Sequence, residues 1–190
     1  NFIGPLFASS LLAIEEKAIS HKVNVFALTN NTNMAGKNIW VFGSWYGEQY
    51  SDNTSYLFEY VNKNKKDVKS IWLTKKKNIY NLLKDKGYNV FYVNSLFGIW
   101  YSCRAGISFI NCGYSDVNKF CISSSIILQL WHGIPLKKIK NDDKINNNDK
   151  IYIKLLKIIL LRLLPFYKER YDFIISSSPK VTKRFCSAFQ

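Results

Sequence analysis

Short, continuously apolar runs alternate with stretches of helical periodicity, and this alternation constrains the chain more than any other feature. The runs are 38–43 (NIWVFG), 69–74 (KSIWLT), 89–93 (NVFYV) and 106–110 (GISFI), with helical segments at 54–63, 77–86 and 95–103 between them. Asp52 and Asn53 are suitable caps for the first of these helices, and Gly87 is a stop for the second. Strands that are apolar throughout, rather than on alternate residues, are buried on both faces. The order therefore predicts an α/β fold, a parallel Rossmann-like sheet covered by helices on both sides. Further along, 124–130 (SSIILQL) and 172–176 (DFIIS) predict two more strands. A short helix is expected from Pro135, and another from Ser178-Pro179 to the end of the chain.

Open parallel sheets bind ligands outside the carboxyl ends of their strands, where loops and helix amino termini collect. The chemically informative residues all fall on that edge: Gly43 to Asn53, Thr74, Asn94-Ser95, Asn111, Trp131-His132-Gly133 and Ser176 to Ser178. His132 follows an apolar strand and precedes a glycine. A neutral imidazole there can take a proton from an attacking hydroxyl. Gly133 would admit close backbone approach to a ligand, and Lys137 and Lys138 could hold phosphate oxygens. The alternative is a ring satisfied by backbone in a tight turn, with the lysines in water. His21 is read as a surface residue.

Charge and cysteine content narrow the class of partner without fixing it. The 190 residues carry 27 Lys+Arg against 13 Asp+Glu, a formal charge of +14. Such an excess suits a polyanion, an anionic membrane or a phosphorylated substrate. Only four of the 27 are Arg, so the codon bias of an AT-rich genome gives the same count. Cys103, Cys112, Cys121 and Cys186 have no C-x-x-C spacing, which implies reduced thiols on the cytoplasmic side. No carboxylate cluster offers itself as a metal site, and no cofactor is implied.

Residues 141–150 (NDDKINNNDK) read as a flexible loop and 151–164 (IYIKLLKIILLRLL) as a helix ended by Pro165. On its wheel Lys150, Lys154, Lys157 and Arg162 gather on one side and Ile and Leu fill the rest. Such a helix either lies in an anionic membrane interface or is buried against the sheet or a further domain. The apolar stretch 2–14, which overlaps a helix expected at 7–20, is too short to span a bilayer and lacks signal-peptide flanks. The chain, which starts at Asn1, reads as a piece of something longer.

Trp131-His132-Gly133-Ile134-Pro135-Leu136-Lys137-Lys138 resembles the W-H-G-x-P-x-K-K signature of the CDP-glycerol glycerophosphotransferases, which polymerise teichoic acids and related capsule polymers. Phe42 to Asn53 (FGSWYGEQYSDN) is similar to a second element of that family, a glycine and tyrosine loop ending in Asp-Asn. Ile71 to Thr74 and Asp172 to Ser178 also follow its pattern, so the resemblance covers roughly residues 38–190.

The resemblance implies the amino-terminal, acceptor-side half of a GT-B architecture: a lead-in segment over 1–37, a Rossmann-like domain over 38–190, and a donor domain that this sequence lacks. It implies His132 as catalytic base, with Gly43, Tyr50, Asp52, Asn53, Gly133, Lys137 and Lys138 binding acceptor or phosphate. The expected partners are CDP-glycerol, a lipid-linked polyol phosphate acceptor and the anionic cytoplasmic face of the membrane, with Lys154, Lys157 and Arg162 in contact with lipid. The chain by itself is expected to be weak or inactive without the donor domain. A capsule glycosyltransferase of the same architecture and a non-catalytic basic membrane-binding module are the alternatives. Nucleic acid is not expected as a partner, since no RNA- or DNA-binding motif is present.

Overall fold

A computed structural model of the chain describes residues 38–122, 125–133, 171–176 and 178–189. Among these, six strands form one sheet in the order β3-β2-β1-β4-β5-β6. They are β1 (Ile39–Phe42), β2 (Lys69–Thr74), β3 (Val90–Tyr92), β4 (Ile107–Ile110), β5 (Ile126–Gln129) and β6 (Phe173–Ile174). Every pairing is parallel, as the unbroken apolar runs require. Four helices accompany them: α1 (Asp52–Asn64), α2 (Lys77–Asp85), α3 (Leu96–Cys103) and α4 (Pro179–Phe189).

The order is that of a doubly wound sheet, in which the chain moves outward from β1 to β3 and then returns to the far side of β1. Side chains alternate across each strand, so the two faces build separate cores. Phe42 stacks on Phe109 at 4.6 Å between ring centroids, and Phe58 of α1 meets Phe42 and Trp72 edge-on. Tyr80 of α2 stacks on Tyr92 at 4.7 Å on the same face. On the opposite face Val41, Ile71, Leu73, Ile110 and Ile127 pack with Tyr101 and Ala105, from α3 and just after it.

Local signals place the element ends. Ser95 Oγ accepts from Gly98 N at 3.1 Å and starts α3. Helix α2 stops as the sequence predicts: Gly87, at φ 77°, donates to Lys84 O, and Tyr88 N donates to Leu83 O at 3.0 Å, the two bonds of a Schellman motif. Helix α1 begins two residues earlier than expected. Asp52 lies inside its first turn and Ser51 holds the cap position, where no side-chain hydrogen bond closes the cap. The expected helices at 7–20 and 151–164, the one from Pro135 and the loop 141–150 lie outside the described residues.

Candidate active site

The carboxyl ends of β1 and β4 are neighbours whose following segments leave in opposite directions, which opens a crevice at the switch point. Three loops meet there: 43–51 after β1, 111–117 after β4 and 130–133 after β5. Gly43 permits the first contact. A Cβ on it would lie 2.1 Å from Asp116 O, so only glycine lets the two loops touch.

Asp116 organises the second loop. Its carboxylate is buried and accepts backbone N–H bonds from Asn111 (2.8 Å), Cys112 (2.7 Å), Gly113 (3.3 Å) and, across the crevice, Tyr46 (2.6 Å). Burial pushes its pKa above the ordinary carboxylate value, and these donors pull the other way. Asn111 Oδ1 accepts from Trp45 N at 3.0 Å. Together these bonds hold Trp45, Tyr46 and Gly47 in consecutive left-handed conformations, at φ 46°, 59° and 79°. Non-glycine residues in that region cost about 1–3 kcal/mol each and persist only where their surroundings enforce them. Among the described residues the others of this kind are Asp52 (φ 59°) and Trp131 (φ 56°), both at the same crevice.

Asp52 and Asn53 connect the loops. Asp52 Oδ2 accepts from Trp45 Nε1 and from Asn111 Nδ2. Asn53 Nδ2 donates to Leu130 O (3.1 Å) and Trp131 O (3.0 Å), which clamps the end of β5. Both amide hydrogens of Asn53 are therefore engaged within the protein, and what the structure shows of this residue is positioning, not a free phosphate donor.

The clamp and the left-handed Trp131 set the direction of His132. Its ring lies 5.1 Å from Trp131, nearly parallel to it, and 5.1 Å from Trp45. Nδ1 is 2.9 Å from Asn111 O. A carbonyl oxygen only accepts, and two facing lone pairs at that separation would repel, so Nδ1 carries the hydrogen and donates it. In the neutral ring Nε2 then carries the lone pair, on a residue exposed to solvent. Among the described residues no hydrogen bond reaches Nε2. Its neighbour Cys112, with Sγ 3.7 Å from Nδ1, is half-buried. Burial, reinforced by the charge of Asp116, pushes that thiol up to about 12, so it stays protonated near neutrality.

The remaining predicted residues divide. Gly133 is exposed, and a Cβ there would meet nothing within 4 Å, so protein packing gives no reason for a glycine. Tyr50 is not brought to His132. Its hydroxyl donates to Glu59 Oε1 at 2.8 Å and its ring packs on Trp72 and Phe58, which makes it part of the seat of α1. Lys137, Lys138, Lys154, Lys157 and Arg162 lie outside the described residues. Sequence reasoning missed Asp116, although the polar run Asn111 to Asp116 directly after an apolar strand was its signal. Among the described residues no group of three His, Cys, Asp or Glu side chains is placed to hold a metal ion. Nor is any described helix long and apolar enough to cross a membrane.

Known proteins resemble this chain in sequence and fold. The teichoic acid glycerol-phosphate transferase of Staphylococcus aureus (strain NCTC 8325 / PS 47) is 32% identical over 182 residues, covering 92% of this chain and 43% of that protein. The teichoic acid poly(glycerol phosphate) polymerase of Bacillus spizizenii is 30% identical over 166 residues, covering 79% of this chain and 37% of that protein. A solved structure of the wall teichoic acid polymerase TagF superposes with a TM-score of 0.58 at 26% identity, over 100% of this chain and 45% of that one. The chain thus spans less than half the length of these relatives. The sequence model of the family described as CDP-Glycerol:Poly(glycerophosphate) glycerophosphotransferase matches residues 25–190, and the chain belongs to that family.

Proposed function

We propose that this chain is the acceptor-side domain of a glycerophosphotransferase, the amino-terminal half of a GT-B pair, and that His132 is its general base. The reading is supported above all by the 2.9 Å contact of Nδ1 with Asn111 O, which in the neutral ring puts the lone pair on Nε2 at the carboxyl edge of the sheet. Nε2 takes the proton of a terminal hydroxyl on a lipid-linked polyol phosphate. The resulting oxygen attacks the β-phosphorus of CDP-glycerol, a new P–O bond forms, and the bond to CMP breaks with CMP leaving. Positioning and charge stabilisation carry such displacements, and that agrees with a site built from backbone clamps. The open space beside Gly133 is where the acceptor approaches, and Lys137 and Lys138 hold its phosphates. The CDP-glycerol site belongs to a second domain, and the protein works peripherally at the cytoplasmic face of the membrane, where Lys154, Lys157 and Arg162 meet anionic lipid.

The test is CMP release from CDP-glycerol by the complete protein, with and without His132→Ala. Loss of release by at least a hundredfold, the usual weight of a general base, with vesicle binding unchanged, is the expected result. Transfer at wild-type rate in the variant, or equal loss of transfer and of vesicle binding, would refute the role given to His132. The 190-residue chain on its own is expected to release little or no CMP.

A further inference from the structure

Among the described residues four that are not glycine hold left-handed backbone, all at the crevice, and the fold explains three of them. Trp45 Nε1 donates to Asp52, whose carboxylate also accepts from Asn111 Nδ2, and the ring of Trp131 packs on Phe185 at 5.0 Å between centroids. Tyr46 is different. Its φ of 59° is enforced from outside, by the 2.6 Å bond from its N–H to Asp116 Oδ1, yet the residue is 54% exposed. Among the described residues no ring packs on it and no hydrogen bond reaches its hydroxyl. Asparagine or glycine would hold this conformation at less cost, so packing gives no reason for a tyrosine. Enforced strain beneath a side chain that the fold leaves unused marks a residue presented to a ligand.

The neighbours of Tyr46 indicate the ligand. Trp45, just before it, has its ring 5.1 Å from that of His132. The carboxylate that holds Tyr46 N also holds Asn111 N at 2.8 Å, and Asn111 O accepts from His132 Nδ1, so one loop sets both the tyrosine and the base. Lys75 bridges the same loops. Its N–H donates to Gly47 O at 2.7 Å, a Cβ on Gly47 would lie 3.3 Å from its Cγ, and its Nζ donates to Ser115 O at 3.3 Å. Lys75 is exposed, and its ammonium has two further hydrogens for an anion. A phenol hydroxyl donates to a phosphate oxygen, and its ring can cover the carbon chain of a polyol. We propose that Tyr46 is a specificity-determining residue that contacts the phosphate of the acceptor's terminal unit, its hydroxyl donating to a phosphate oxygen beside the Lys75 ammonium. The proposal rests on the acceptor reading above. Held by its phosphate, the terminal unit has its free hydroxyl directed along the crevice to His132.

The test is calorimetric binding of a short soluble glycerol phosphate oligomer to the complete protein without CDP-glycerol, set beside thermal melting. Asparagine suits the left-handed turn better than tyrosine, so in Tyr46→Asn the melting temperature of this domain should rise by about 2–4 °C. Its affinity for the oligomer should nevertheless fall about tenfold or more. Tyr46→Phe keeps the ring and the strain, so it should melt as the wild type does and lose about tenfold in affinity, the weight of one hydrogen bond to a charged oxygen. Wild-type affinity in either variant, or a melting temperature that falls together with affinity in Tyr46→Asn, would overturn the proposal. So would a wild-type protein that does not bind the oligomer. Weaker binding of CDP-glycerol with oligomer binding unchanged would also overturn it, by setting Tyr46 against the donor side. His132→Ala separates the two readings. Transfer at the wild-type rate in that variant, with the oligomer still lost in the Tyr46 variants, would refute the base and leave this proposal standing. Transfer lost in His132→Ala, with the Tyr46 variants binding as the wild type does, would refute this proposal alone.

Discussion

Replacing Asn53 by alanine separates the positioning of His132 from the stability of the domain. The change removes two hydrogen bonds, to Leu130 O and Trp131 O. At roughly 0.5–1.5 kcal/mol each, their loss amounts to about 1–3 kcal/mol. Part of that returns, because a freed Trp131 can leave its left-handed conformation and recover strain of the same order, about 1–3 kcal/mol. The net destabilisation should therefore be small, about 1 kcal/mol, or some 2–4 °C in melting temperature for a domain of this size. The effect on His132 should be large in comparison, since its ring loses its bearing on Asn111 O. Nitrogen-15 spectra of the imidazole report this directly: a dominant Nδ1–H tautomer in the wild-type chain and a mixture in Asn53→Ala. Asn53→Asp should be worse in both respects, because a carboxylate would face two carbonyl oxygens with no hydrogen to give. A variant that melted several degrees lower yet kept the wild-type tautomer would show that the clamp serves stability only, and the reasoning would fail.

Other consequences are open to equally direct measurement. Gly43→Ala should cost about 3 kcal/mol or more in chemical denaturation, because its methyl would meet the rigid backbone of Asp116 and not a flexible side chain. Gly133→Ala should change stability by no more than about 0.5 kcal/mol, since no described atom lies within 4 Å of a Cβ there, yet it should reduce transfer by the complete protein; unimpaired transfer would remove Gly133 from the acceptor path. The Cys112 thiol is raised from 9.0 to about 12, so the unfolded chain ionises first as pH rises. The stability this thiol contributes is whole below pH 9 and is lost as pH climbs toward 12, a slope that Cys112→Ala should reduce in alkaline denaturation. For the same reason iodoacetamide should label Cys112 slowly at pH 8, as followed by mass spectrometry, and faster only well above pH 9.

What the amino-acid sequence made legible was the part governed by local physics. Strand 69–74 appears with the bounds its apolar run predicts, and α2 stops at Gly87 because a left-handed residue is cheap only there. The carboxyl edge was legible too, since it follows from parallel strands alone, and it brought His132, Asn111, Asp52 and Asn53 into view together. The roles within it were less so. Nothing in Trp45-Tyr46 announces a left-handed turn, because those residues do not favour positive φ; the turn is imposed by Asn111 and Asp116, 66 and 70 positions away. Tyr50 was expected as a ligand contact through the resemblance alone, and the sequence holds no sign that its hydroxyl is engaged by Glu59. Strand β6 is two residues long where five were expected, since pairing with β5, and not its apolar sequence, sets its ends.

The oxygen that steadies His132 belongs to the main chain of Asn111. Every amino acid carries that atom, so no substitution at position 111 can delete it. A scan that replaces side chains one by one will record the amide of Asn111 and pass over the carbonyl behind it. Only a change to the peptide link itself, such as an ester in place of the amide between residues 111 and 112, weakens that acceptor. The ester also removes the Cys112 N–H that donates to Asp116, so comparison with Asp116→Asn isolates the carbonyl.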